Sequence, residues 1–377
     1  MTKYETLANI LTERINRNLQ NGISKLPTES QLCQDYNVSR QTVRAALALL
    51  HKQGIITSRQ GSGSYATGLS ADSNRNIIPV LVASQQEYIY PQLLSDIRAA
   101  LAEYDYQLQI YSTDNDTFVE RSHLLTLLDN PPCGMIVEGC KSTLPNPNLD
   151  LYEHLHENGT FTLFLHNHYP TLQDSIYVKD DNYYGGCLLA EHLVSLGHTR
   201  IAGLFKMDDA QGPERYHGMA SRLRDLGCPL ADRHVGWYTS PDITALETRQ
   251  DTRFLTNFIQ ECLFNCSAVV CYNDEVAYWL IKELSYAGIL VPQDISVVCF
   301  DNSYLSELSS VRITSLTHAP HEIGECVADC MIKRLRGIPV VSHTIPWQLV
   351  RRESDAPCHS NPWPQTGIPA AYSPASS

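Results

Sequence analysis

Short apolar runs alternate with amphipathic helical segments from Ile77 to about residue 353, and this alternation constrains the fold more than any other feature of the sequence. Helical periodicity marks segments such as 90–104 and 275–288. Strand–helix alternation predicts parallel sheets with helices on both faces. One hydrophobic core rarely supports the roughly 280 residues of this region, so we expect an α/β domain of two lobes. The apolar runs, which have the composition of buried strands, are 77–84, 106–113, 134–139, 160–167, 200–207, 268–274 and 295–302.

The remaining segments divide the chain further. Residues 1–67 are rich in helix start and stop signals and form a separate predicted domain. Residues 68–76, GLSADSNRN, are polar and turn-prone, which is typical of a linker. Residues 354–377 are rich in Pro, Ser and Ala, and we predict a disordered tail there. We therefore assign the two-lobed domain to residues 77–353.

Charge separates the first domain from the rest. The chain has a net charge of −13, but its first 68 residues carry eight Lys and Arg against four Asp and Glu. A small basic domain on an acidic body fits a nucleic-acid reader joined to a domain with another task. No apolar run has the roughly 18 residues of a membrane span, and the N-terminus lacks the apolar core of a signal peptide. We expect a cytoplasmic protein that does not contact membranes.

The 12 cysteines do not form a recognisable metal or disulfide pattern. Cys262 and Cys266, and likewise Cys326 and Cys330, are spaced by one helical turn, but neither pair is matched by a second pair. A structural zinc site needs four converging ligands. We expect reduced, mostly buried thiols, with no metal and no cofactor.

The basic domain contains a predicted helix-turn-helix. Thr28 is the expected N-cap of a helix that ends near Tyr36, and Gln31 can close a capping box. Ser39 is the expected N-cap of a second helix, 40–53. The second helix carries one apolar stripe, formed by Val43, Ala46, Leu47 and Leu50, and its first turns are polar off that stripe. This pattern predicts a recognition helix whose N-terminal side chains enter the major groove of DNA.

Two short strands around a glycine-containing turn follow the recognition helix and predict a wing. The whole segment resembles the winged helix-turn-helix of the GntR family of bacterial transcription regulators. The matching motifs are Leu26-Pro27-Thr28-Glu29, Val38-Ser39-Arg40-x-Thr42-Val43-Arg44-x-Ala46-Leu47, Gly54 and Gly61-x-Gly63. Ser64-Tyr65 departs from the Thr and aliphatic residue common in the family. The resemblance implies DNA contacts at Glu29, Arg40, Gln41, Thr42, Arg44, Arg59, Gln60, Gly61 and Gly63.

Polar residues end several predicted strands of the two-lobed domain. Glu138, His166-Asn167-His168, Asn273-Asp274 and Asp301-Asn302 each follow an apolar run, and Arg215 lies after another. Open α/β sheets bind ligands outside the carboxyl ends of their strands. Carboxylates, amides and an arginine fork are suited to an uncharged polyol such as a sugar.

The same region resembles the effector domain of the LacI/GalR regulators, whose fold is that of periplasmic sugar-binding proteins. The matching motifs are 181–186, 192–202, Arg215-Tyr216-x-Gly218-Met219 and 291–302. The resemblance implies a parallel-sheet, periplasmic-binding-protein-like fold and effector contacts near the strand ends. The effector contacts that we predict are Tyr90, Glu138, His168, Asp181, Arg215, Asn273 and Asp301.

A GntR-type head on a LacI-type body resembles the arabinose repressors. The resemblance implies a homodimeric repressor that binds double-stranded operator DNA and is released by a small sugar, with L-arabinose expected first. A regulator that answers a hexose, a nucleoside or an oligosaccharide stays open, as does activation instead of repression. The rival from another class is a sugar-active enzyme. The sequence contains no Gly-x-Ser-x-Gly elbow, no phosphate-binding loop with Lys and no metal-ligand cluster, so we predict no catalytic residues.

Overall fold

The structure, a computed structural model, describes residues 3–20, 25–36, 38–52, 56–59, 63–66, 76–84 and 89–358. The chain divides into two compact units, Met1–Ile77 and Ile78–Ser377. Within the described residues, no helix has both the length and the apolar content that crossing a bilayer requires.

The first unit contains three helices and a hairpin. The capping box predicted at Thr28 is present, because its backbone N–H donates to Gln31 Oε1 at 2.9 Å and Gln31 N–H donates to Thr28 Oγ1 at 3.4 Å. Ser39 Oγ accepts from the N–H of Thr42 at 3.2 Å and caps the next helix as predicted. The elements are α1 (Lys3–Gln20), α2 (Glu29–Tyr36), α3 (Arg40–Lys52), β1 (Ile56–Arg59) and β2 (Gly63–Ala66).

The apolar stripe of α3 packs into the core of this unit. Val43, Ala46 and Leu50 are fully buried, whereas Leu47 is half-buried at its margin. Strands β1 and β2 pair antiparallel, and Leu26 N–H donates to Ser64 O at 3.0 Å, which ties the hairpin to the segment before α2. The predicted winged helix-turn-helix is therefore confirmed. The linker prediction, 68–76, lies outside the described residues except for its last position.

The second unit has two six-stranded sheets, which we call lobe 1 and lobe 2. Lobe 1 contains β3 (Ile77–Val82), β4 (Gln107–Ser112), β5 (Gly134–Val137), β6 (Phe161–Leu165), β7 (Ile176–Asp180) and β13 (His343–Ile345). Lobe 2 contains β8 (Ile201–Lys206), β9 (Val235–Tyr238), β10 (Ala268–Cys271), β11 (Ser296–Cys299), β12 (Thr314–Thr317) and β14 (Gln348–Val350). The strand order is β4-β3-β5-β6-β7-β13 in lobe 1 and β9-β8-β10-β11-β12-β14 in lobe 2. Among the strand pairs whose register is defined, β12 and β14 are antiparallel and the others are parallel.

Helices cover the faces of these sheets, as the alternation predicts. Those that pack with lobe 1 are α4 (Tyr90–Ala102), α5 (Thr117–Asp129), α6 (Leu149–Glu157) and α13 (Glu322–Leu335). Those of lobe 2 are α7 (Asn182–Ser195), α8 (Gln211–Asp225), α9 (Ser240–Arg249), α10 (Arg253–Glu261), α11 (Asp274–Tyr286) and α12 (Tyr304–Leu308), with a 3-10 turn at Asp232–His234. The predicted two-lobed parallel α/β fold is confirmed.

The chain passes between the lobes three times. The crossovers follow β7, β12 and β13, so strand β13 of lobe 1 leads directly into β14 of lobe 2. Asp181 N–H donates to Ile345 O at 2.9 Å, which joins the first crossover to the third. A polypeptide that crosses three times can bend at a hinge while each lobe stays rigid.

The predicted boundary at residue 353 lies too early. Ser354 and Asp355 are buried, and Asp355 Oδ2 is 2.8 Å from His192 Nε2. Cys358 N–H donates to Leu196 O at 2.8 Å. The first residues of the predicted tail thus pack on lobe 2, because their polar groups complete its edge. Residues 359–377 lie outside the described part of the chain.

Candidate functional site

The exposed face of α3 carries an arginine pair held by one carboxylate. Arg40 Nε donates to Glu29 Oε2 at 3.1 Å, and Arg44 Nε donates to the same oxygen at 3.0 Å. The two arginine side chains remain 65% and 64% exposed. Partial burial would raise the pKa of Glu29, but the hydrogen bonds from Arg44 and Arg40 lower it. Glu29 therefore stays ionised and orients both guanidinium groups without burying them.

The other predicted DNA contacts fall into three groups. Gln41 is exposed on the first turn of α3, and Thr42 is half-buried, with its hydroxyl 2.8 Å from Ser39 Oγ. Arg59 ends β1 and pairs in register with Gly63, the first residue of β2. Gln60 and Gly61 lie outside the described residues. The structure therefore describes side-chain positions for the predicted DNA contacts on the first two turns of α3 and at the start of α2.

A cleft of about 840 Å³ lies between lobe 1 and lobe 2. Residues that directly follow strand ends line it from both sides, including Glu138 after β5, His166 after β6, Tyr272 after β10 and His318 after β12. This is the position that open parallel sheets use for ligands, and the volume is within the range of small-molecule sites. The cleft is the candidate effector site.

A tyrosine–glutamate pair forms part of the lobe 1 wall. Tyr90 Oη donates to Glu138 Oε2 at 2.9 Å, and the N–H of Ala83 donates to the same carboxylate oxygen at 3.0 Å. Burial raises the pKa of Glu138 above its usual range, although nearby His166 opposes the shift. Burial and the adjacent Glu138 raise the pKa of Tyr90, so its hydroxyl stays protonated. This wall offers a carboxylate that has been fixed in position by two donors.

Asp301 and Asn273 form part of the lobe 2 wall. Asp301 follows the sheet in the left-handed backbone region, with φ of 84°, and its carboxylate accepts from Arg215 Nη2 at 2.9 Å. Asn273 lines the cleft and also caps α11, because its side-chain oxygen accepts from Val276 N–H at 3.0 Å. Both residues follow buried strands, as the sequence predicts.

Arg215 does not line the cleft but lies behind Asp301, with 1% of its surface exposed. Its Nε donates to Asn182 Oδ1 at 2.9 Å, and its guanidinium is 4.3 Å from the centroid of the Phe300 ring and 4.7 Å from that of Tyr272. Burial opposes the charge, but Asp301 outweighs it and raises the pKa of Arg215. Arg215 therefore positions Asp301 rather than presenting its own donors to the cavity.

A histidine–aspartate–histidine chain connects the cleft to the crossovers. Asp180 accepts from His166 Nδ1 at 3.2 Å and from His318 Nε2 at 2.8 Å. His318 also contacts Pro346 O through Nδ1 at 2.9 Å and stacks on Trp347, with ring centroids 3.8 Å apart. Asp180 ends β7, His318 follows β12 and Pro346 follows β13, so one hydrogen-bonded chain joins all three crossovers.

Two donors at the cleft have no hydrogen-bond partner among the described residues. They are His166 Nε2 and Trp347 Nε1, and both are buried. Burial would lower the pKa of His166, but Asp180 raises it to about 9, so the imidazole is charged at neutral pH. A buried donor without a partner carries a cost of about 1–3 kcal/mol, which a ligand acceptor would relieve. Both donors are therefore candidates for hydrogen bonds to an effector.

An ion pair between Lys206 and Asp209 lines the cleft from lobe 2. Lys206 Nζ lies 2.6 Å from Asp209 Oδ2. Burial would lower the pKa of Lys206, but Asp209 raises it. Asn115 of lobe 1 donates to Asp209 Oδ1 at 3.1 Å and to Ser240 Oγ at 2.7 Å, which links the two lobes at this rim. Tyr272 Oη donates to Gln211 Oε1 at 2.8 Å beside it.

Besides Arg215, two further predicted effector residues, His168 and Asp181, do not line the cleft. His168 stacks on Tyr177, with ring centroids 4.4 Å apart, and burial with nearby Lys179 lowers its pKa. Asp181 caps α7 by accepting from Tyr184 N–H at 3.1 Å. His168 is two positions beyond His166, where the chain has already left the strand end. Asp181 faces its own helix, because an N-cap side chain bonds the first turn.

Several residues that line the cleft were not among the predicted effector contacts: His166, Asp180, Lys206, Asp209, Gln211, Tyr272, His318 and Trp347. His166 and Lys206 had a usable signal, because each lies at the last position of an apolar run or directly after it. His318 and Trp347 had none, since only the later crossovers bring them beside Asp180.

Comparison with known protein families identifies both units. Residues 3–65 match the model of the bacterial regulatory proteins of the gntR family. Residues 190–354 match the model of a periplasmic binding protein-like domain. Among solved structures, a periplasmic binding protein/LacI transcriptional regulator from Alkaliphilus metalliredigens QYMF, complexed with D-xylulofuranose, has a TM-score of 0.63 at 21% identity. The match covers 74% of this chain and 99% of that one, and it supports the fold of the second unit.

Two curated relatives cover nearly the whole chain. The arabinose metabolism transcriptional repressor of Halalkalibacterium halodurans is 32% identical over 87% of this chain and 89% of its own length. The repressor of the same name from Geobacillus stearothermophilus is 32% identical over 82% of this chain and 85% of its own length. Both relatives are named as transcriptional repressors. The chain belongs to the family of the arabinose metabolism transcriptional repressors, with a GntR-type DNA-binding domain and a LacI-type effector domain.

Proposed function

We propose that the cleft binds L-arabinose and that the bound sugar releases a homodimer of this repressor from its operator in the cytoplasm. The observation that carries the proposal is the pairing of acceptors and donors around the cleft. Glu138 and Asp301 face it from opposite lobes, and His166 and Trp347 add donors that have no protein partner in the described residues. A sugar hydroxyl both donates and accepts, so it can satisfy the two kinds of group together.

The cleft also has an apolar surface suited to a sugar ring. Trp347 and Tyr272 line it, and the ring of Trp347 is held in place by stacking on His318. Aromatic faces pack against the C–H face of a pyranose or furanose, while polar groups read its hydroxyls. The names of the two curated relatives favour a pentose, and the D-xylulofuranose bound to the solved relative is also a pentose.

Release follows when the sugar binds one arrangement of the lobes better than the other. A ligand held by Glu138 on lobe 1 and Asp301 on lobe 2 favours the arrangement in which both reach it. The three crossovers are the hinge, and His318 joins them through Asp180 and Pro346. Two copies on a palindromic operator would need a fixed spacing of their recognition helices, so a change of lobe arrangement alters DNA affinity.

Calorimetric titration of the full chain tests the effector. We expect L-arabinose to bind at one site per chain and more tightly than D-ribose, D-xylose, D-galactose or adenosine. Glu138→Gln and Asp301→Asn each remove a charged hydrogen-bond acceptor from one lobe, which costs about 1.5–3 kcal/mol, a loss of roughly 10- to 150-fold in affinity. His168→Ala is the matched control, because His168 is polar and close in sequence to the strand end but does not line the cleft.

Each outcome bears on a different part of the proposal. Saturable binding of another sugar, lost in the same two variants, would keep the cleft and replace L-arabinose. Normal binding of L-arabinose by Glu138→Gln and Asp301→Asn would reject the cleft as its site.

Release from DNA is tested with an operator selected from a random duplex library, which the sugar should release in a fluorescence anisotropy titration. Sedimentation of the same complex should give two chains per duplex.

A further inference from the structure

Away from the cleft, two thiols and an imidazole converge on lobe 1. Cys326 and Cys330 lie in α13, and His343 is the first residue of β13. The two Sγ atoms and a ring nitrogen of His343 all lie within 4.8 Å of one another. Among the described residues, these three side chains form a group of His, Cys, Asp or Glu whose ligand atoms lie close enough together to bind one metal ion. The spacing of the cysteines alone did not reveal it.

The fold fixes this group from two directions. Residues four apart share one face of a helix, so the thiols of Cys326 and Cys330 point the same way from α13. Cys330 is buried in the lobe 1 core, and Cys326 is half-buried at its margin. Strand β13 packs against α13, and His343 pairs in register with Val178 of β7. The histidine therefore comes to the helix through sheet pairing.

We propose that Cys326, Cys330 and His343 bind a Zn²⁺ ion, with water as the fourth ligand. Zinc prefers thiolate and imidazole ligands in tetrahedral geometry, with Zn–S of about 2.3 Å and Zn–N of about 2.0 Å, which sets the two sulfur atoms about 3.8 Å apart. His343 is exposed, so its ring can rotate toward the thiols and the fourth position faces solvent. The site therefore has the three-ligand, open form rather than the closed form of structural zinc sites.

The two sulfur atoms lie close enough to share an ion, because both Sγ atoms and a ring nitrogen of His343 are within 4.8 Å of one another. Thiols bind a metal ion as thiolates, so Zn²⁺ displaces their protons and its charge offsets that of the two sulfur atoms.

A bound ion would tie the start of β13 to α13. Strand β13 ends at Ile345, and the next two residues, Pro346 and Trp347, form the third crossover, where Trp347 lines the cleft. Zinc at this place would stabilise lobe 1 in proportion to the logarithm of the free ion concentration. It would also hold the crossover that carries Trp347. Zinc binding here is independent of which effector the cleft binds.

Metal titration of the full chain tests the site. The protein is purified under reducing conditions, stripped with a chelator and titrated with ZnCl₂ against a chromophoric zinc indicator. We expect one tightly bound equivalent per chain and a rise in the thermal unfolding temperature. Replacing Zn²⁺ with Co²⁺ should produce the near-ultraviolet absorption of thiolate-to-cobalt charge transfer. His343→Ala removes a direct ligand, so it should weaken zinc binding by more than the roughly 10- to 100-fold that loss of an outer-shell partner costs, and because His343 is exposed this variant keeps its fold.

Cysteine variants give the matched comparison. Cys326→Ser should lose the tight equivalent and the charge-transfer band. Cys262→Ser changes the other helix-spaced pair, in which the backbone oxygen of Cys262 contacts His234 at 2.7 Å, and should keep both signals. Equal zinc affinity in wild type, Cys326→Ser and His343→Ala would overturn the proposal, as would a wild-type chain that takes up no tight equivalent. Loss of zinc in Cys262→Ser alone would assign the ion to lobe 2 and overturn it as well.

Discussion

The two units of this chain use arginine–carboxylate pairs in opposite ways. Arg40 and Arg44 on the recognition helix are 65% and 64% exposed and share Glu29, whereas Arg215 and Asp301 beside the cleft are 1% and 10% exposed. An exposed pair contributes about 0–1 kcal/mol, so DNA phosphates or base edges can replace Glu29 at little cost. Breaking a buried pair leaves a charge in a low-dielectric place. The same pairing therefore leaves two arginines available for DNA in one unit and holds a fixed scaffold in the other.

This difference assigns roles that residue type alone does not. The arginines of α3 keep their donors available and are oriented by one carboxylate. Arg215 already directs its donors to Asn182, Tyr272 O and Asp301. In the proposed effector site it would act through Asp301, and we class it as a positioning residue. Substituting the buried arginine should therefore lower the stability of the fold, whereas substituting the exposed arginines should lower DNA affinity.

The largest expected effect is that of Arg215→Ala on stability. Asp301 loses the guanidinium that neutralises it, and three aromatic rings lose a packed cation, which together cost about 3–5 kcal/mol. Urea unfolding of the full chain measures the change. Arg224→Ala is the control on the same helix, because Arg224 is 70% exposed and should change stability by no more than about 0.5 kcal/mol. Equal midpoints for the two variants would remove the distinction drawn between buried and exposed pairs.

The next effect is that of Arg44→Ala on operator binding. Loss of an arginine that contacts a base edge costs about 1–3 kcal/mol, a roughly 5- to 150-fold fall in affinity, while the unfolding free energy stays near that of wild type. Fluorescence anisotropy with the selected operator measures it. Arg14→Ala removes the same charge from α1, where Arg14 pairs with Asp35 at 2.9 Å, and controls for general electrostatic attraction. A fall of equal size in both variants would mean that Arg44 acts only through charge.

The DNA-binding domain was predictable from sequence because its signals are local. Thr28 and Ser39 cap helices through residues three positions away, and the stripe of α3 needs only a 3.6-residue period. The partner of the recognition arginines, Glu29, is also near in the chain. The pattern could not predict how exposed each residue of the stripe is, since Leu47 belongs to it but is half-buried.

The cleft was predictable where a strand end decides the position, and at Tyr90, which begins α4 and was predicted from the family resemblance. Glu138, Asn273 and Asp301 follow buried strands and line it, as expected. Arg215 was assigned to the same surface, but burial behind Asp301 depends on the packing of Phe300, Tyr272 and other distant residues. Likewise, His318 meets Asp180 across 138 positions of sequence, and no local pattern carries that information.

The smallest effect concerns a buried carboxylate that is not paired with an arginine. Glu275 lines the cleft on α11, and burial together with a hydrogen bond to Glu247 of α9 raises its pKa to about 8. Lys206 of β8 opposes this shift, and adjacent Asp274 adds to it. Since the folded chain holds this proton more tightly than the unfolded chain, stability is greatest below about pH 4.5 and declines as the pH rises to about 8.

Glu275→Gln should remove that decline, because the amide stays neutral and can donate to Glu247 in place of the shared proton. The thermal unfolding temperature should therefore rise at pH 8, where the wild-type carboxyl group has lost part of its proton, with little change at pH 5. Glu353→Gln is the exposed counterpart: Arg312 lowers the pKa of Glu353, so this substitution should act in the opposite sense and by less, as expected for a surface pair. If both variants had the same pH profile, burial would not be what separates the cleft carboxylates from those at the surface, and the contrast between the arginines of the two units would lose its physical basis.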